Sequence, residues 1–422
     1  MTALASAYRA PSTALFPRSA PAVAAATPSV GLRALTVYGV LLALGLQGNL
    51  PSLMRGTGAP GAVLMVLAHL PLYVAAARLG VAPFRDGPVR ALAALVAALV
   101  PSLLWSEHPL DGAIKLAAIG TAIAWAALLS AWPGLVADVV RAGLAGCAAS
   151  AVGAAAGLGF LPVPSSSFSL SVLFAAGIHW RATASAERLA ARAGRSFALV
   201  ALIGLVFMST FRAPTIGALL VLGFFALRSR EARVALAIAA IAGAVFFSVE
   251  GPRRAPSYAA TVERNDLVGR YESISDDRLS GRGDIWAGIL ADASTSPRWL
   301  FVGGGLGDVD FIVAAANPGV MSFNLRGERV LSPHNLFLEV LIGAGIPGAL
   351  ALLWWLGSLA SRLGSHPLDA GLLACTVVMC GSNVPLLDIG GGALFVALLC
   401  AHLGRREPIW RRGPLDDEAP RV

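Results

Sequence analysis

Residues 335–360 read NLFLEVLIGAGIPGALALLWWLGSLA, and this run decides the fold class of the chain. It exceeds the roughly 20 apolar residues with which an α-helix crosses a bilayer, and Glu339 is its single charge. Similar runs recur along the 422 residues, of which 56% are hydrophobic and 13% charged, against about a quarter charged in soluble domains. The runs are continuous rather than alternating, which excludes an outer-membrane β-barrel. The sequence predicts an all-α polytopic membrane protein.

Twelve apolar segments qualify as membrane spans by composition. They cover residues 32–53, 59–79, 89–105, 113–131, 139–161, 165–180, 196–211, 214–227, 233–249, 335–360, 370–387 and 391–403. The segments 196–211 and 214–227 are shorter than the usual minimum of about 17 residues. Joining them into one kinked helix at Pro214 would place Arg212 in mid-bilayer, at a cost of about 2.5–3.5 kcal/mol. We therefore predict about 12 transmembrane helices.

The arginines predict the orientation of these spans. All 32 basic residues are arginine except Lys115, and the short cytoplasmic loops of membrane proteins are enriched in basic residues. A cytoplasmic N-terminus puts 20 of them in inside loops and tails, and nine in the long 250–333 loop, which this rule does not count. The short outside loops and their flanks hold three, namely Arg55, Lys115 and Arg212. Both termini are then cytoplasmic. Arg212, His334 and the long 250–333 loop all fall on the periplasmic side.

This orientation divides the chain into five parts. Residues 1–30 are a disordered cytoplasmic tail, 31–249 hold transmembrane helices one to nine, 250–333 form a large periplasmic loop with short interfacial helices, 334–404 hold the last three transmembrane helices, and 405–422 are a cytoplasmic tail. Within the loop, residues 283–293 have Ile285, Ile289 and Leu290 at helical spacing. This pattern predicts an amphipathic helix at the membrane surface, with Trp286 and Trp299 at the interface.

The composition argues against several other functions. The net charge of +8 lies largely in short loops and tails, so membrane topology explains it better than nucleic-acid binding. The four cysteines lie in apolar spans without a CxxC pair, which indicates packing rather than a disulfide or metal role. They are Cys147, Cys375, Cys380 and Cys400. The chain has no HExxH or GxSxG motif, so an intramembrane hydrolase has little support.

Two short motifs in the loop resemble ligand sites. The glycines from Gly303 to Gly307 resemble a phosphate-binding loop, but they lack GK[ST] and a βαβ unit, so we interpret them as a flexible turn. The pair Asp308 and Asp310 resembles the metal-binding DxD of nucleotide-sugar enzymes. Nucleotide sugars are cytoplasmic, whereas this loop is predicted to lie outside. We therefore expect neither a metal nor a cofactor.

His334 is the first candidate catalytic residue. Ser332 suits the N-cap position and Pro333 the first helical position, which puts His334 in the first turn of the 335–360 helix. The positive end of a helix disfavours an imidazolium, so we expect a neutral imidazole that can accept a proton. The alternative is an interfacial histidine that only hydrogen-bonds a loop.

Arg282 and Arg212 are candidates for holding a phosphate. A guanidinium group is planar, always charged and able to bind phosphate oxygens in a bidentate way. Two such groups on the predicted periplasmic side would stabilise a diphosphate leaving group. The alternatives are a membrane-interface anchor for Arg212, and a surface ion pair with Asp277 or Asp284 for Arg282.

Glu339 and Asn335 complete the set, as expected substrate-binding residues. Glu339 lies about one turn inside its span, and ionisable residues in spans are functional candidates by default. A structural counter-ion to an arginine is the favoured interpretation of Glu339. Asn335 shares its helix face at the i,i+4 spacing.

Three stretches carry a family resemblance. They are LSGRGDIW at 279–286, the glycine-rich stretch after Pro297, and PHNLFLEVLIGAGIPG at 333–348. Together they resemble the O-antigen ligase and O-antigen polymerase superfamily. The segment STFRAPTIGAL at 209–219 is similar to that family's upstream arginine motif, although Phe211 stands where a serine is usual and Pro214 intrudes. The twelve-span layout, with a large periplasmic loop between the ninth and tenth spans, is similar too.

The resemblance implies a metal-independent glycosyltransferase with a GT-C-like fold in the bacterial inner membrane. Its donor would be an undecaprenyl-pyrophosphate-linked glycan, used on the periplasmic face. Carried over by residue, His334 would be the general base, and Arg282 and Arg212 would hold the pyrophosphate as it leaves. The acceptor would be a glycan in a polysaccharide polymerase, or lipid A–core in a ligase. Membrane lipids are the other expected partners.

The sequence leaves two questions open. LSGRxxIW reads like exopolysaccharide and capsule polymerases, which favours a polymerase over an O-antigen ligase or a protein glycosylase. A twelve-span transporter or flippase with both ends inside is the alternative from another class. Transporters usually show internal repeats and midplane polar sites, whereas the candidate polar residues here gather at one face.

Overall fold

A computed structural model describes the chain over residues 28–45, 59–80, 82–85, 87–155, 166–183, 282–295, 298–318, 330–363, 367–382, 384–387 and 389–404. Within these ranges all regular structure is helical, with no strand. The α-helices there are α1 (Val30–Gly45), α2 (Ala59–Ala68), α3 (Leu70–Ala77), α4 (Gly87–Leu99), α5 (Pro109–Ala131), α6 (Leu135–Ala155), α7 (Ser166–Thr183), α8 (Arg282–Thr295), α9 (Arg298–Val302), α10 (Val309–Ala316), α11 (Leu336–Ala360), α12 (Pro367–Ser382) and α13 (Gly391–Gly404). Short 3₁₀ helices occupy Ala82–Arg85, Val100–Trp105 and Pro385–Leu387.

Three of the described helical stretches are long and apolar enough to cross a membrane. They are Gly87–Trp105, in which α4 continues as a 3₁₀ helix, and the helices α5 and α11. Shorter apolar helices cover Val30–Leu44, Phe168–His179, Leu368–Gly381 and Gly391–Gly404. These elements indicate an integral membrane protein, and the all-α expectation is confirmed. The predicted spans 196–211, 214–227 and 233–249 and most of both tails lie outside the described residues, so the count of twelve and the GT-C-like arrangement stay predictions.

The predicted span 59–79 consists of two helices, α2 and α3, which meet at His69. Pro71 has no backbone N–H and cannot donate to the carbonyl of Leu67, so a continuous helix would lose a hydrogen bond here. The backbone closes a tighter turn instead, in which the N–H of His69 donates to the carbonyl of Val66 at 3.0 Å.

Helix α13 lies at the centre of the bundle. It is buried at every residue except His402, and it packs against α4, α5 and α7. A helix that is apolar all round and covered on all sides occupies a core position. Helix α11 differs, because Leu350, Leu353 and Trp354 are exposed, as expected of a face turned towards lipid. The four cysteines are buried, which agrees with the predicted packing role.

Polar contacts define two ends of the described bundle. At one end, Lys115 near the start of α5 pairs with Glu339 near the start of α11. At the opposite end, Arg362 just beyond α11 donates to the carbonyl of Gly404, and its guanidinium lies against Gly87 at the start of α4. The starts of α5 and α11 therefore share one end, which we call the α5–α11 end.

Helix α11 is interrupted in its middle. Gly345 has φ 66° and ψ −157°, a conformation that glycine adopts without a Cβ clash. Two positions further on, Pro347 cannot donate a hydrogen bond to the carbonyl of Gly343. The break therefore leaves backbone carbonyls in mid-helix that need other donors.

The glycine-rich segment 303–307 supplies those donors. The N–H of Gly304 donates to the carbonyl of Ile342 at 2.7 Å, and the N–H of Gly305 donates to that of Gly343 at 3.1 Å. The segment is thus a packed turn inserted at the helix break, and its interpretation as a flexible turn is wrong. This part of the predicted 250–333 loop is built into the core of the helical bundle.

Candidate functional site

Helix α11 has a different N-cap from the predicted one. The cap is Asn335, whose Oδ1 accepts from the backbone N–H groups of Phe337 at 3.0 Å and Leu338 at 3.2 Å. The predicted cap at Ser332 is wrong, because the Asn335 amide oxygen reaches two of the first unpaired N–H groups of the helix directly. The helix accordingly begins at Leu336.

His334 precedes the cap and is not in the first helical turn. Its backbone N–H donates to Ser332 Oγ at 3.2 Å, so the serine closes a local turn. The turn gives His334 a φ of 47°, the left-handed region that few non-glycine residues occupy. The side chain is half-buried. His334 thus lies on a constrained turn beyond the N-terminal end of α11.

Trp286 joins α8 to this turn. Its indole Nε1–H donates to the carbonyl of Pro333 at 2.7 Å, and the side chain is 2% exposed. The predicted interfacial position of Trp286 is therefore wrong, because the indole N–H finds its partner inside the protein rather than at a lipid headgroup. The amphipathic helix predicted over 283–293 is present as α8, and it packs Ile285 and Ile289 against α10.

Arg282 is the first residue of α8, about one helical turn before Trp286. The start of α8 is therefore near the turn that carries His334. The side chains of Arg282 and Trp299 lie outside the described residues, as does the whole of Arg212. The structure thus brings together the chain segments that carry Arg282 and His334. The contact between them is the hydrogen bond from Trp286 to the backbone carbonyl of Pro333.

Glu339 is paired with a lysine. It is 1% exposed and accepts from Lys115 Nζ at 2.5 Å, while the same ammonium lies 3.4 Å from Asp310. Glu339 is a counter-ion as favoured from the sequence, but its partner is the lysine of α5 rather than an arginine. The other carboxylate oxygen, Oε2, is buried without a hydrogen-bond partner in the described part of the chain. The pair ties the first turn of α11 to α5.

Asp308 anchors the loop that precedes α5. Its Oδ2 accepts from the backbone N–H of Glu107 at 2.9 Å, and its Oδ1 contacts the backbone N of His108 at 3.0 Å and the ring Nδ1 at 2.7 Å. The His108 ring stacks on Phe311, with centroids 3.8 Å apart and planes 9° apart. A Cβ at Gly307 would come within 1.9 Å of the His108 carbonyl oxygen, so the close approach requires glycine.

The two aspartates of the DxD motif therefore face different partners. Asp308 binds the loop before α5, and Asp310 binds the ammonium of Lys115. In the ranges that the structure describes, no group of three or more His, Cys, Asp and Glu side chains is arranged to hold a metal ion. Contacts between helices and loops account for both carboxylates.

Residues 197–353 match the family model described as O-antigen ligase. This segment belongs to the O-antigen ligase and O-antigen polymerase superfamily. The match contains α8, the glycine-rich turn, the start of α11, and the positions of Arg212, Arg282 and His334. The resemblance drawn from the sequence is thereby confirmed. No curated protein matches the chain.

Members of the O-antigen ligase and polymerase superfamily are glycosyltransferase-like membrane enzymes. In this protein, two basic side chains from outside the superfamily segment pair with its carboxylates at the α5–α11 end. Lys115 pairs with Glu339 and Asp310, and His108 pairs with Asp308. The candidate site thus combines the superfamily segment with the loop before α5 and with α5 itself.

Sequence reasoning missed Lys115 and His108. A signal for Lys115 existed, because the one lysine of the chain borders an apolar run, where ionisable residues are functional candidates. No local signal connects His108 with Asp308, which lie 200 residues apart in the chain.

Proposed function

We propose that the protein transfers a glycan from an undecaprenyl-pyrophosphate carrier to an acceptor hydroxyl at the periplasmic face of the bacterial inner membrane. The observation that carries the proposal is the hydrogen bond between Trp286 and Pro333. Within the O-antigen ligase segment, it holds the helix that begins at Arg282 against the turn that carries His334. Such a transfer needs a phosphate-binding group and a proton acceptor close together.

Arg282 and Arg212 hold the pyrophosphate in this proposal. Negative charge on the leaving oxygen grows as its bond to the sugar breaks, and guanidinium groups bind such oxygens in a bidentate way. Loss of one such donor costs roughly 2.7–4 kcal/mol in comparable sites, or about 10²–10³-fold in rate. The arginines thereby take the charge-balancing role that a metal has in other transferases.

His334 acts as the base. It takes the proton of the acceptor hydroxyl while that oxygen forms a bond to the anomeric carbon and the bond from this carbon to the pyrophosphate oxygen breaks. The bonding electrons leave with undecaprenyl pyrophosphate, and a single displacement inverts the anomeric configuration. The left-handed backbone of His334 supports the assignment, because strained non-glycine residues cluster at functional sites.

Asn335 and Glu339 serve the site by positioning it. The Asn335 amide oxygen accepts the hydrogen bonds of the helix cap, and the Glu339 carboxylate forms an ion pair with Lys115. Both contacts fix the start of α11. The turn that carries His334 leads directly into this start.

The α5–α11 end of the bundle faces the periplasm in this proposal, and both termini are cytoplasmic. Arg362 lies at the opposite end beside Gly404, and the sequence continues from there with Arg405 and Arg406. An excess of basic residues marks the cytoplasmic side of a membrane protein. This distribution supports a periplasmic site.

We propose a polysaccharide polymerase, in which the acceptor is another lipid-linked glycan. The LSGRGDIW stretch at 279–286 supports this choice through its resemblance to exopolysaccharide and capsule polymerases. An O-antigen ligase would use lipid A–core as the acceptor instead, and a protein glycosylase would use a protein hydroxyl.

The decisive experiment incubates the purified protein with a lipid-pyrophosphate-linked glycan and no nucleotide. A polymerase produces longer lipid-linked chains, whereas a ligase produces an adduct only when lipid A–core is added. A transporter or flippase in detergent leaves both substrates unchanged. Absence of transfer to either acceptor would overturn the proposal.

Variants in cells test the residue roles. Arg282→Ala and His334→Ala should insert normally and let lipid-linked glycan accumulate, because transfer stops. Arg141→Ala is the matched control, since Arg141 is 71% exposed and pairs with Asp138 on α6. Full activity of the His334 variant would remove this residue as the base.

A further inference from the structure

We propose that His108 and Asp308 form a binding site for a hydroxyl group of the acceptor glycan, beside the turn that carries His334. The inference rests on the proposed function and deepens it. It adds a contact on the acceptor side, contributed by a loop outside the O-antigen ligase segment. The ligand class is an uncharged sugar hydroxyl.

The proton on the His108 ring has a defined place. An aspartate carboxylate accepts hydrogen bonds, so the 2.7 Å contact with Asp308 Oδ1 assigns the ring proton to Nδ1. In the neutral form of the ring, Nε2 then carries the lone pair. Nε2 makes no hydrogen bond to any residue that the structure describes. The His108 side chain is 25% exposed, so part of the ring reaches the surface.

The ring is oriented before any ligand arrives. It stacks on Phe311, and the backbone of the loop is held by the two N–H groups of Glu107 and His108 on the same carboxylate. An acceptor that is already fixed loses less conformational entropy on binding. Anchoring the loop requires only the backbone bonds. The oriented imidazole adds a directed hydrogen-bond acceptor.

The surrounding charges favour a hydroxyl over a phosphate. Asp308 lies against the ring, and Glu107 next to it is exposed. The nearby ammonium of Lys115 forms ion pairs with Asp310 and Glu339. A phosphate would therefore face carboxylates and a lone pair, whereas a hydroxyl can donate its proton to Nε2. This separates the site from the arginines that hold the pyrophosphate.

A chain of contacts links this site to the proposed base. The His108 ring stacks on Phe311, which follows Asp310 in the chain. The backbone carbonyl of Asp310 accepts a hydrogen bond from the N–H of Leu331 at 2.9 Å. Leu331 is three residues before His334. An acceptor glycan held at His108 therefore lies beside the turn at which its reacting hydroxyl loses a proton.

The test is steady-state transfer at a fixed concentration of lipid-pyrophosphate-linked glycan. The varied acceptor is the same glycan released from its lipid by mild acid, which carries no phosphate. His108→Phe keeps the stack on Phe311 and removes the Nε2 acceptor. We expect the KM for the free glycan to rise about five- to tenfold, as for loss of one hydrogen bond. The KM for the lipid-linked glycan as donor, measured with the free glycan saturating the acceptor site, should stay unchanged.

Two further variants control the result. His402 forms the same kind of pair with Asp369, at 2.9 Å, at the opposite end of the bundle, so His402→Phe should leave both KM values unchanged. His108→Gln retains an acceptor oxygen and should recover part of the lost affinity for the free glycan. It also replaces His108→Phe in the assay if that variant does not purify as a folded protein.

The possible outcomes separate this inference from the proposed function. An unchanged KM for the free glycan in a folded His108→Phe protein overturns the hydroxyl site and leaves the transferase proposal intact. An equal rise in both KM values also overturns it, because it indicates general distortion. A wild-type protein without transfer activity overturns the proposed function, and this inference with it.

Discussion

The backbone of His334 has a strained conformation. A φ of 47° at a non-glycine residue costs on the order of 1–2 kcal/mol, and glycine would occupy the same turn without that cost. Strained non-glycine residues of this kind cluster at functional sites. This supports the proposed role in proton transfer.

Glycine and alanine at position 334 separate strain from chemistry. Both variants lack the imidazole, so transfer should fall about 10²–10⁴-fold in each, the range for loss of a general base. His334→Gly should be more stable than His334→Ala by about 1 kcal/mol, because only glycine relieves the strained φ. Transfer assays and thermal unfolding in detergent measure the two effects. Activity retained in either variant, or equal stabilities, contradicts this account.

At the scale of helices, one ion pair couples α5 to α11. Lys115 comes from α5 and Glu339 from the first turn of α11, and both are largely withdrawn from solvent. A buried ion pair adds little net stability compared with an apolar pair, but one charge left alone is costly. The pair therefore fixes which surfaces of the two helices meet.

Single and double variants should show this coupling. Lys115→Met leaves the Glu339 carboxylate buried without its partner and should lower the free energy of unfolding by about 3–5 kcal/mol. Combining it with Glu339→Leu should recover most of that loss, because the only carboxylate then left without Lys115 is Asp310, which is 32% exposed and can be solvated. Denaturant unfolding in detergent measures both. Additive losses in the double variant would show that the two residues stabilise the protein independently.

The break in α11 can be tested with two glycines of the same helix. A Cβ at Gly345 would lie 2.6 Å from the carbonyl group of Phe301, on a backbone with φ 66°, so Gly345→Ala should destabilise the protein by about 2 kcal/mol or more. Gly357 has no atom within 4 Å of its Cβ position, so Gly357→Ala should be neutral or stabilise by up to about 1 kcal/mol. Thermal unfolding compares them. Similar stabilities of the two variants would mean that the contact between Gly345 and Phe301 does not constrain the break.

For the whole molecule, the proposal depends on which side of the membrane the α5–α11 end faces. A phosphatase that is active only in the periplasm should be active when fused after residue 300, and a fluorescent protein that folds only in the cytoplasm should be fluorescent when fused after residue 404. We expect this result because the distribution of arginines predicts that residue 300 lies in the periplasm and residue 404 in the cytoplasm. The reverse pattern would place His334 and Arg282 in the cytoplasm, away from the proposed donor and acceptor.

The helical architecture can be predicted from composition alone. The predicted spans 113–131 and 335–360 appear as α5 and α11, because a long apolar run in lipid has to satisfy its own backbone hydrogen bonds and therefore becomes a helix. Local choices were harder. The sequence predicted the N-cap at Ser332, whereas the path of the chain into α11 puts it at Asn335.

The partners of buried polar groups depended on tertiary packing. Glu339 pairs with Lys115 and His108 with Asp308, across 224 and 200 positions of the chain. The i,i+4 spacing of a helix shows which side chains share a face, but it does not show which distant helix covers that face. The apolar runs were sufficient to predict the helices, because each helix satisfies its own backbone. The assembled bundle alone decided which charges meet, because an ion pair forms only where packing brings two surfaces together.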